Sequence, residues 1–164
     1  MTHKVYFDTS VWLAPYDEWR DKATVKGVER IIEAQKIRMI TLCTSPQVIK
    51  ELQELSKNPE KSAKAQKALA VLTSLNLSSL PFAPAIFGKA VFGEAIFGQE
   101  QKFSDSSLRE PDKEVAEFMT ANNVDFFVSL DSHFLKIKSD IESRLKREHT
   151  SVITPDQASK ILDM

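Results

Sequence analysis

Hydrophobic positions fall into short blocks whose spacing switches between strand-like and helical. Val5, Tyr6 and Phe7 read as a buried strand, and the apolar run stops at Asp8 before resuming with Val11 and Trp12. A polar segment with Asp17, Glu18, Arg20 and Asp21 follows, and then VKGVERIIEAQK sets Val25, Val28, Ile31 and Ile32 at helical spacing. RMITLCT is a second apolar, β-branched run. It leads into SPQVIKELQELSKNP, where Ser45 stands as N-cap, Pro46 takes the first helical position, and Val48, Leu52 and Leu55 share a face. Residues 60–75 continue helically, and NLSSLPF predicts a short third strand. A helix is predicted from Pro111 to Asn123 through Val115, Phe118 and Met119, ended by the Asn122–Asn123 pair, with the strand VDFFVSL directly after it. TSVIT closes the series as a strand, and Thr154, Pro155 and Gln157 start a capped helix.

Strands alternating with helices predict a single α/β domain over residues 1–164, a three-layer α/β/α arrangement around a mainly parallel sheet. Sites in such sheets form at the carboxyl ends of strands. Asp8 ends the first strand and Asp131 ends VDFFVSL, so this topology sets both acids on one rim. A carboxylate is costly to bury without a partner, so something at that rim must match the charge.

Composition narrows the class. With 164 residues and 42% hydrophobic content the chain can build a real core. Its apolar runs are too short for a membrane span, and MTHKVYF lacks a secretory h-region, so no membrane partner and a cytoplasmic location are expected. The single Cys43, in the apolar setting MITLCT, reads as core. A net charge of −1 announces no nucleic-acid binder, so any polyanion site must be local. Lys50 to Lys67 carries five lysines against three acids, and Ser132 to His149 has Lys136, Lys138, Arg144, Lys146 and Arg147 against three acids. Each reads as a solvated helix face.

Residues 84–104 are unusual. AIFGKAVFGEAIFGQE repeats a Phe-Gly unit at Phe87-Gly88, Phe92-Gly93 and Phe97-Gly98, a five-residue period that suits neither helix nor strand. A helix or turn series whose phenylalanines cap the core is one reading, and an apolar surface for a partner is the other.

Four acids interrupt or border apolar patterns: Asp8, Glu51, Asp112 and Asp131. Glu51 lies one turn beyond Val48 and one before Leu55, and Asp112 starts a helix on the side of Val115 and Ala116. Singly, each has a plain explanation as a turn former, an ion-pair partner or a cap. Together, with no histidine or cysteine cluster, they specify an all-oxygen site for a hard cation, Mg²⁺ or Mn²⁺. Such a site suits phosphodiester hydrolysis, because bound metal acidifies water and stabilises the leaving oxygen. Another carboxylate can orient or deprotonate that water.

The residues at this point resemble a known family. VYFDTSVW is similar to the opening strand of PIN-domain ribonucleases, SPQVIKEL to their second acidic motif, and PDKEVAEFMTANNVDFFVSLD to their third-acid helix, following strand and Ser/Thr-x-Asp ending. The resemblance covers most of the chain and carries over Asp8, Glu51, Asp112 and Asp131 as metal-binding acids. Ser10 and Ser129 become the hydroxyls that hold the carboxylates or a water. It implies a Mg²⁺- or Mn²⁺-dependent endoribonuclease with an RNA substrate, often the toxin of a toxin–antitoxin pair with an antitoxin protein as partner, and frequently a homodimer. Lys113, Glu114 and Glu117 depart from the family's small apolar third-acid helix, and the Phe-Gly repeat lengthens the chain beyond compact toxins. Asp105 and Glu110 compete weakly with Asp112. The rival expectation is a non-catalytic PIN-like protein that docks a partner through the Phe-Gly segment.

Other residues carry less. His133 in DSHF could reach a phosphate but reads as a loop residue, Trp12 reads as core, and Tyr16 could stack on a base. Ser10 and Ser45 lack a histidine and a nucleophile elbow, no glycine loop follows the first strand, and DTS lacks the second Asp of a phosphoaspartate phosphatase.

Overall fold

The structure is a computed structural model that describes residues 2–75, 77–79, 122–136 and 151–162. The Phe-Gly repeat, Asp112 and the helix expected from Pro111 lie outside the described residues. The strands are β1 (His3–Phe7), β2 (Ile40–Thr44), β3 (Ser78–Ser79), β4 (Phe126–Val128) and β5 (Ser151–Ile153). The helices are α1 (Thr9–Leu13), α2 (Lys22–Lys36), α3 (Pro46–Leu55), α4 (Ser62–Ser74), α5 (Ser132–Lys136) and α6 (Pro155–Leu162), with a 3₁₀ turn at Ala14–Tyr16.

The strands form one sheet in the order β3-β2-β1-β4-β5, and every neighbouring pair is parallel. The expected α/β class and parallel pairing are therefore present. Parallel strands covered on both faces need continuous apolar runs rather than alternation. β1 supplies Val5, Tyr6 and Phe7, all buried, and it pairs with β2 on one side and β4 on the other. Aromatic side chains then set the core: Phe7 meets Trp12 edge-on at 5.1 Å between centroids, and Phe127 meets Phe134 edge-on at 4.7 Å. Trp12 is core, as expected, and so is Cys43, whose thiol burial pushes up to about 11. Among the described residues no helix is long and apolar enough to cross a membrane.

Two boundaries differ from the sequence expectation for local reasons. α2 begins at Lys22 because the Asp21 side chain accepts from the Thr24 N–H, so the polar segment supplies the cap and the first turn. α1, five residues long, is too short to show a helical period, and Asp8 is its N-cap. The predicted α3 start holds: Ser45 accepts from the Val48 N–H with Pro46 at the first helical position. Asn123 ends its turn at φ 51°, a left-handed conformation that asparagine tolerates.

Gly27 shows how closely α2 approaches α6. A Cβ there would lie 2.6 Å from the Pro155 carbonyl oxygen and 2.9 Å from the Asp156 backbone nitrogen. Both obstacles are backbone, so the helices would have to separate. We expect Gly27→Ala to lose about 1–3 kcal/mol from overpacking, which outweighs the roughly 1 kcal/mol that alanine gains in a helix interior. Thermal denaturation should show a melting point several degrees lower, and an unchanged or higher one contradicts the close approach.

Candidate active site at the carboxyl edge of the sheet

The chain leaves β1 towards β2 and β3 on one side and returns to β4 and β5 on the other, so the switch point of the topology lies between β1 and β4. Open parallel sheets bind ligands in the crevice at such a point. Asp8 stands immediately after β1, and Ser129 immediately after β4. The Asp8 N–H donates to the Val128 carbonyl at 3.0 Å, which holds the two strand ends together.

The Asp8 carboxylate accepts three hydrogen bonds: from the Thr9 N–H at 2.8 Å on Oδ1, and from the Ser10 and Ser129 hydroxyls at 2.9 and 3.0 Å on Oδ2. Each serine is oriented in turn. Ser10 Oγ accepts from the Leu130 N–H at 3.3 Å and Ser129 Oγ from the Asp131 N–H at 3.0 Å, so their protons are directed to Asp8. The hydroxyls of Ser10, in the first turn of α1, and of Ser129, just after β4, thus converge on Asp8.

Glu51 is carried to the same edge by α3, which Ser45 caps at the end of β2. Its carboxylate accepts from the Thr9 hydroxyl on one oxygen and from Gln47 Nε2 at 2.8 Å on the other. Thr9 therefore joins the two acids, its N–H to Asp8 and its hydroxyl to Glu51. The buried Tyr6 hydroxyl and Ser45 Oγ are hydrogen-bonded to each other at 2.8 Å. Burial raises the Tyr6 phenol above its ordinary range, its bond to Ser45 lowers it, and the negative charges of Asp8 and Glu51 raise it further.

Sequence reasoning did not single out Thr9, Gln47 or Tyr6 as parts of a site. The polar triplet Asp8-Thr9-Ser10 at the end of an apolar run was the available signal for Thr9. Asp131 is brought to the edge by its backbone: its N–H bonds Ser129 Oγ and its carbonyl accepts from Leu135 at the start of α5. Asp112 lies outside the described residues.

Asp8 is half-buried, and loss of hydration pushes its pKa up to about 6. Its three donors pull the other way, and the Glu51 charge adds to the rise. A divalent cation is what the family resemblance implies, and the donors here are all oxygens of carboxylates and hydroxyls, the chemistry of Mg²⁺ or Mn²⁺. An ionised carboxylate has about four acceptor positions, so the three donors found among the described residues leave Asp8 one position, on Oδ1. Among the described residues no three His, Cys, Asp or Glu side chains make a ready ligand group, so a cation here would rest on Asp8 and Glu51 with water or substrate oxygens. Compared with protein-family models, curated proteins and solved structures, the chain has no match.

The sign of the Asp8 shift fixes a pH dependence. Its folded pKa is raised, so protonation favours the native state. That contribution is complete below the unfolded value near 4 and is lost as pH rises through about 6. In metal-free buffer at pH 8, Asp8→Asn should be more stable than the parent by about 1–3 kcal/mol, with a melting point several degrees higher. The difference should close by pH 4. A gap that is flat with pH, or reversed at pH 8, contradicts the desolvated charge.

Proposed function

We propose that the chain is a divalent-metal-dependent endoribonuclease of the PIN type, with the three-layer arrangement of that fold, hydrolysing RNA phosphodiester bonds at the Asp8–Glu51 edge. One observation carries this reading: two carboxylates from separate elements are tied through Thr9 at the switch point of a parallel sheet, and Asp8 is desolvated with an acceptor position left over. Structural carboxylates usually end on a lysine or arginine. The contacts described for these two end on hydroxyls, N–H groups and an amide, which fix position without neutralising charge.

Asp8 and Glu51 would hold the cation with water or substrate oxygens, Asp131 stands near the same edge, and Asp112 is the further acid that the family resemblance implies. When bound, Mg²⁺ or Mn²⁺ supplies the positive charge that acidifies water and stabilises the leaving oxygen. The protein's part is positioning. Ser10 and Ser129 fix the Asp8 carboxyl plane, Thr9 sets its separation from Glu51, and the Tyr6–Ser45 pair anchors the start of the helix that carries Glu51. A carboxylate not engaged with metal can take a proton from the attacking water.

The test is cleavage of a mixed RNA pool by purified protein with Mn²⁺ and with EDTA. Cleavage should require Mn²⁺ and fall by about 100-fold or more in Asp8→Asn and Glu51→Gln. Thr9→Val, which removes only a positioning hydroxyl, should lose about 10–100-fold. Equal rates in the parent and both acid variants, or no cleavage of any RNA, overturn the reading.

A further inference from the structure

Trp19 is 91% exposed, while Trp12, seven residues earlier, is 2% exposed. Among the described residues Trp19 is the most exposed large apolar side chain. The segment that carries it is tethered. The Arg20 N–H donates to the Asp17 carbonyl at 3.0 Å, closing a turn with Glu18 and Trp19 at its tip. The Asp17 carboxylate accepts from Lys64 Nζ at 3.3 Å, and Arg20 Nη2 lies 3.5 Å from it. Asp21 then caps α2. The fold therefore presents the indole from a turn fixed at both ends.

The topology sets this turn on the same edge as the carboxylates. The chain leaves the carboxyl end of β1 through α1 and the 3₁₀ turn, and α2 runs back to the amino end of β2, so residues 17–20 lie at the carboxyl edge. α4 runs back in the same sense to the start of β3, which puts its first turns at that edge too. Lys61, Lys64 and Lys67 follow one another there at three-residue spacing, with Lys67 Nζ 6.0 Å from the centre of the Tyr16 ring. Lys61 and Lys67 are exposed, as expected of a solvated helix face, and Lys64 and Lys67 in addition stand beside Asp17 and Tyr16.

We infer that Trp19 and the lysines at the start of α4 form a platform for single-stranded RNA beside the Asp8–Glu51 edge, one base stacking on the indole and backbone phosphates meeting Lys61 and Lys67, while Lys64 holds Asp17 and the turn in place. The identity of the ligand rests on the ribonuclease reading. The surroundings favour a nucleic acid over a protein partner. The chain neighbours of Trp19, Glu18, Arg20, Asp21 and Lys22, are charged rather than apolar, and the exposed Lys61 and Lys67 stand at the same edge, which suits a polyanion more than an apolar protein face. Among the described residues the other exposed large apolar side chains, Ile37 and Met39, sit at the opposite edge, where α2 ends and β2 begins. Aromatic stacking together with a cationic track is the recurring chemistry of single-strand binding. The eight residues from Thr9 to Tyr16 span roughly 14 Å at helical rises, and the three more to Trp19 add at most about 11 Å. A strand of a few nucleotides can therefore reach from platform to carboxylates.

The experiment is titration of the full chain in EDTA with a fluorescein-labelled uridine decamer, read by anisotropy and by tryptophan emission. Binding should quench the emission of the exposed indole. Trp19→Ala should weaken binding roughly 5- to 100-fold, as the loss of one base stack, and Trp19→Phe should retain most of it. Lys61→Ala with Lys67→Ala should weaken binding and flatten its salt dependence. Because Trp19 is exposed, its variants should keep the parent's melting point, which separates lost binding from lost folding. Undiminished decamer binding by Trp19→Ala overturns the platform even if the parent cleaves RNA with Mn²⁺. Weakened binding by Trp19→Ala in a protein that never cleaves supports the platform and removes the nuclease reading. A parent dimer that becomes monomeric in Trp19→Ala, with decamer binding intact, assigns Trp19 to self-association and overturns the inference.

Discussion

A carboxylate withdrawn from water at the end of a central strand must be held by donors, take up a proton or attract a cation. Asp8 shows the first two tendencies at once: three donors grip it, and desolvation still raises its pKa to about 6. The grip also ties the site to the fold. Ser129 is 121 residues from Asp8 along the chain, and the two meet only because β4 docks beside β1. The backbone bond from the Asp8 N–H to the Val128 carbonyl and the hydroxyl bonds to its side chain are one junction. If that junction opens, the strand pair and the carboxylate geometry go together.

Such a site costs stability, and the core offsets it. A rise in pKa of the size seen for Asp8 corresponds to about 3 kcal/mol at neutral pH. Burying one large apolar side chain contributes about 1.5–3 kcal/mol. Tyr6, Phe7, Trp12, Phe127 and Phe134 are all essentially fully buried on or next to the two strands that carry Asp8 and Ser129. Several of them together outweigh one unfavourable charge. The aromatic cluster thus permits an anionic edge that a thinner core could not carry, and local rules broken at one place are characteristic of functional positions.

The parts of this arrangement legible in the sequence were those set by local chemistry. Val5–Phe7 and the run before Ser45 announce strands, Ser45-Pro46 announces a helix start, and Asp8 and Asp131 stand where apolar runs stop. The α/β alternation then follows. Contacts between distant segments were not legible. That Thr9 would reach Glu51 depends on the angle at which α3 leaves β2, which Tyr6 and Ser45 set by a buried hydroxyl contact. The lysines of α4 look like an ordinary solvated face until Lys64 is seen beside Asp17, 47 residues away. Trp19 carries no periodic signal, because a turn tip belongs to neither helix nor strand. Five-residue α1 escaped for the opposite reason, since its Val11 and Trp12 read equally well as a continuation of the strand.

Whether Asp8 and Glu51 act as one anionic unit is tested most directly by a double-mutant cycle on Asp8→Asn and Glu51→Gln, measured by denaturant unfolding at pH 8 in EDTA and again in saturating Mn²⁺. Two carboxylates sharing one site should couple by about 0.5–3 kcal/mol, and the effect of each single substitution should change sign between the two conditions. Additive effects in both conditions, with no response to Mn²⁺, would show two unrelated acids and contradict a shared cation site.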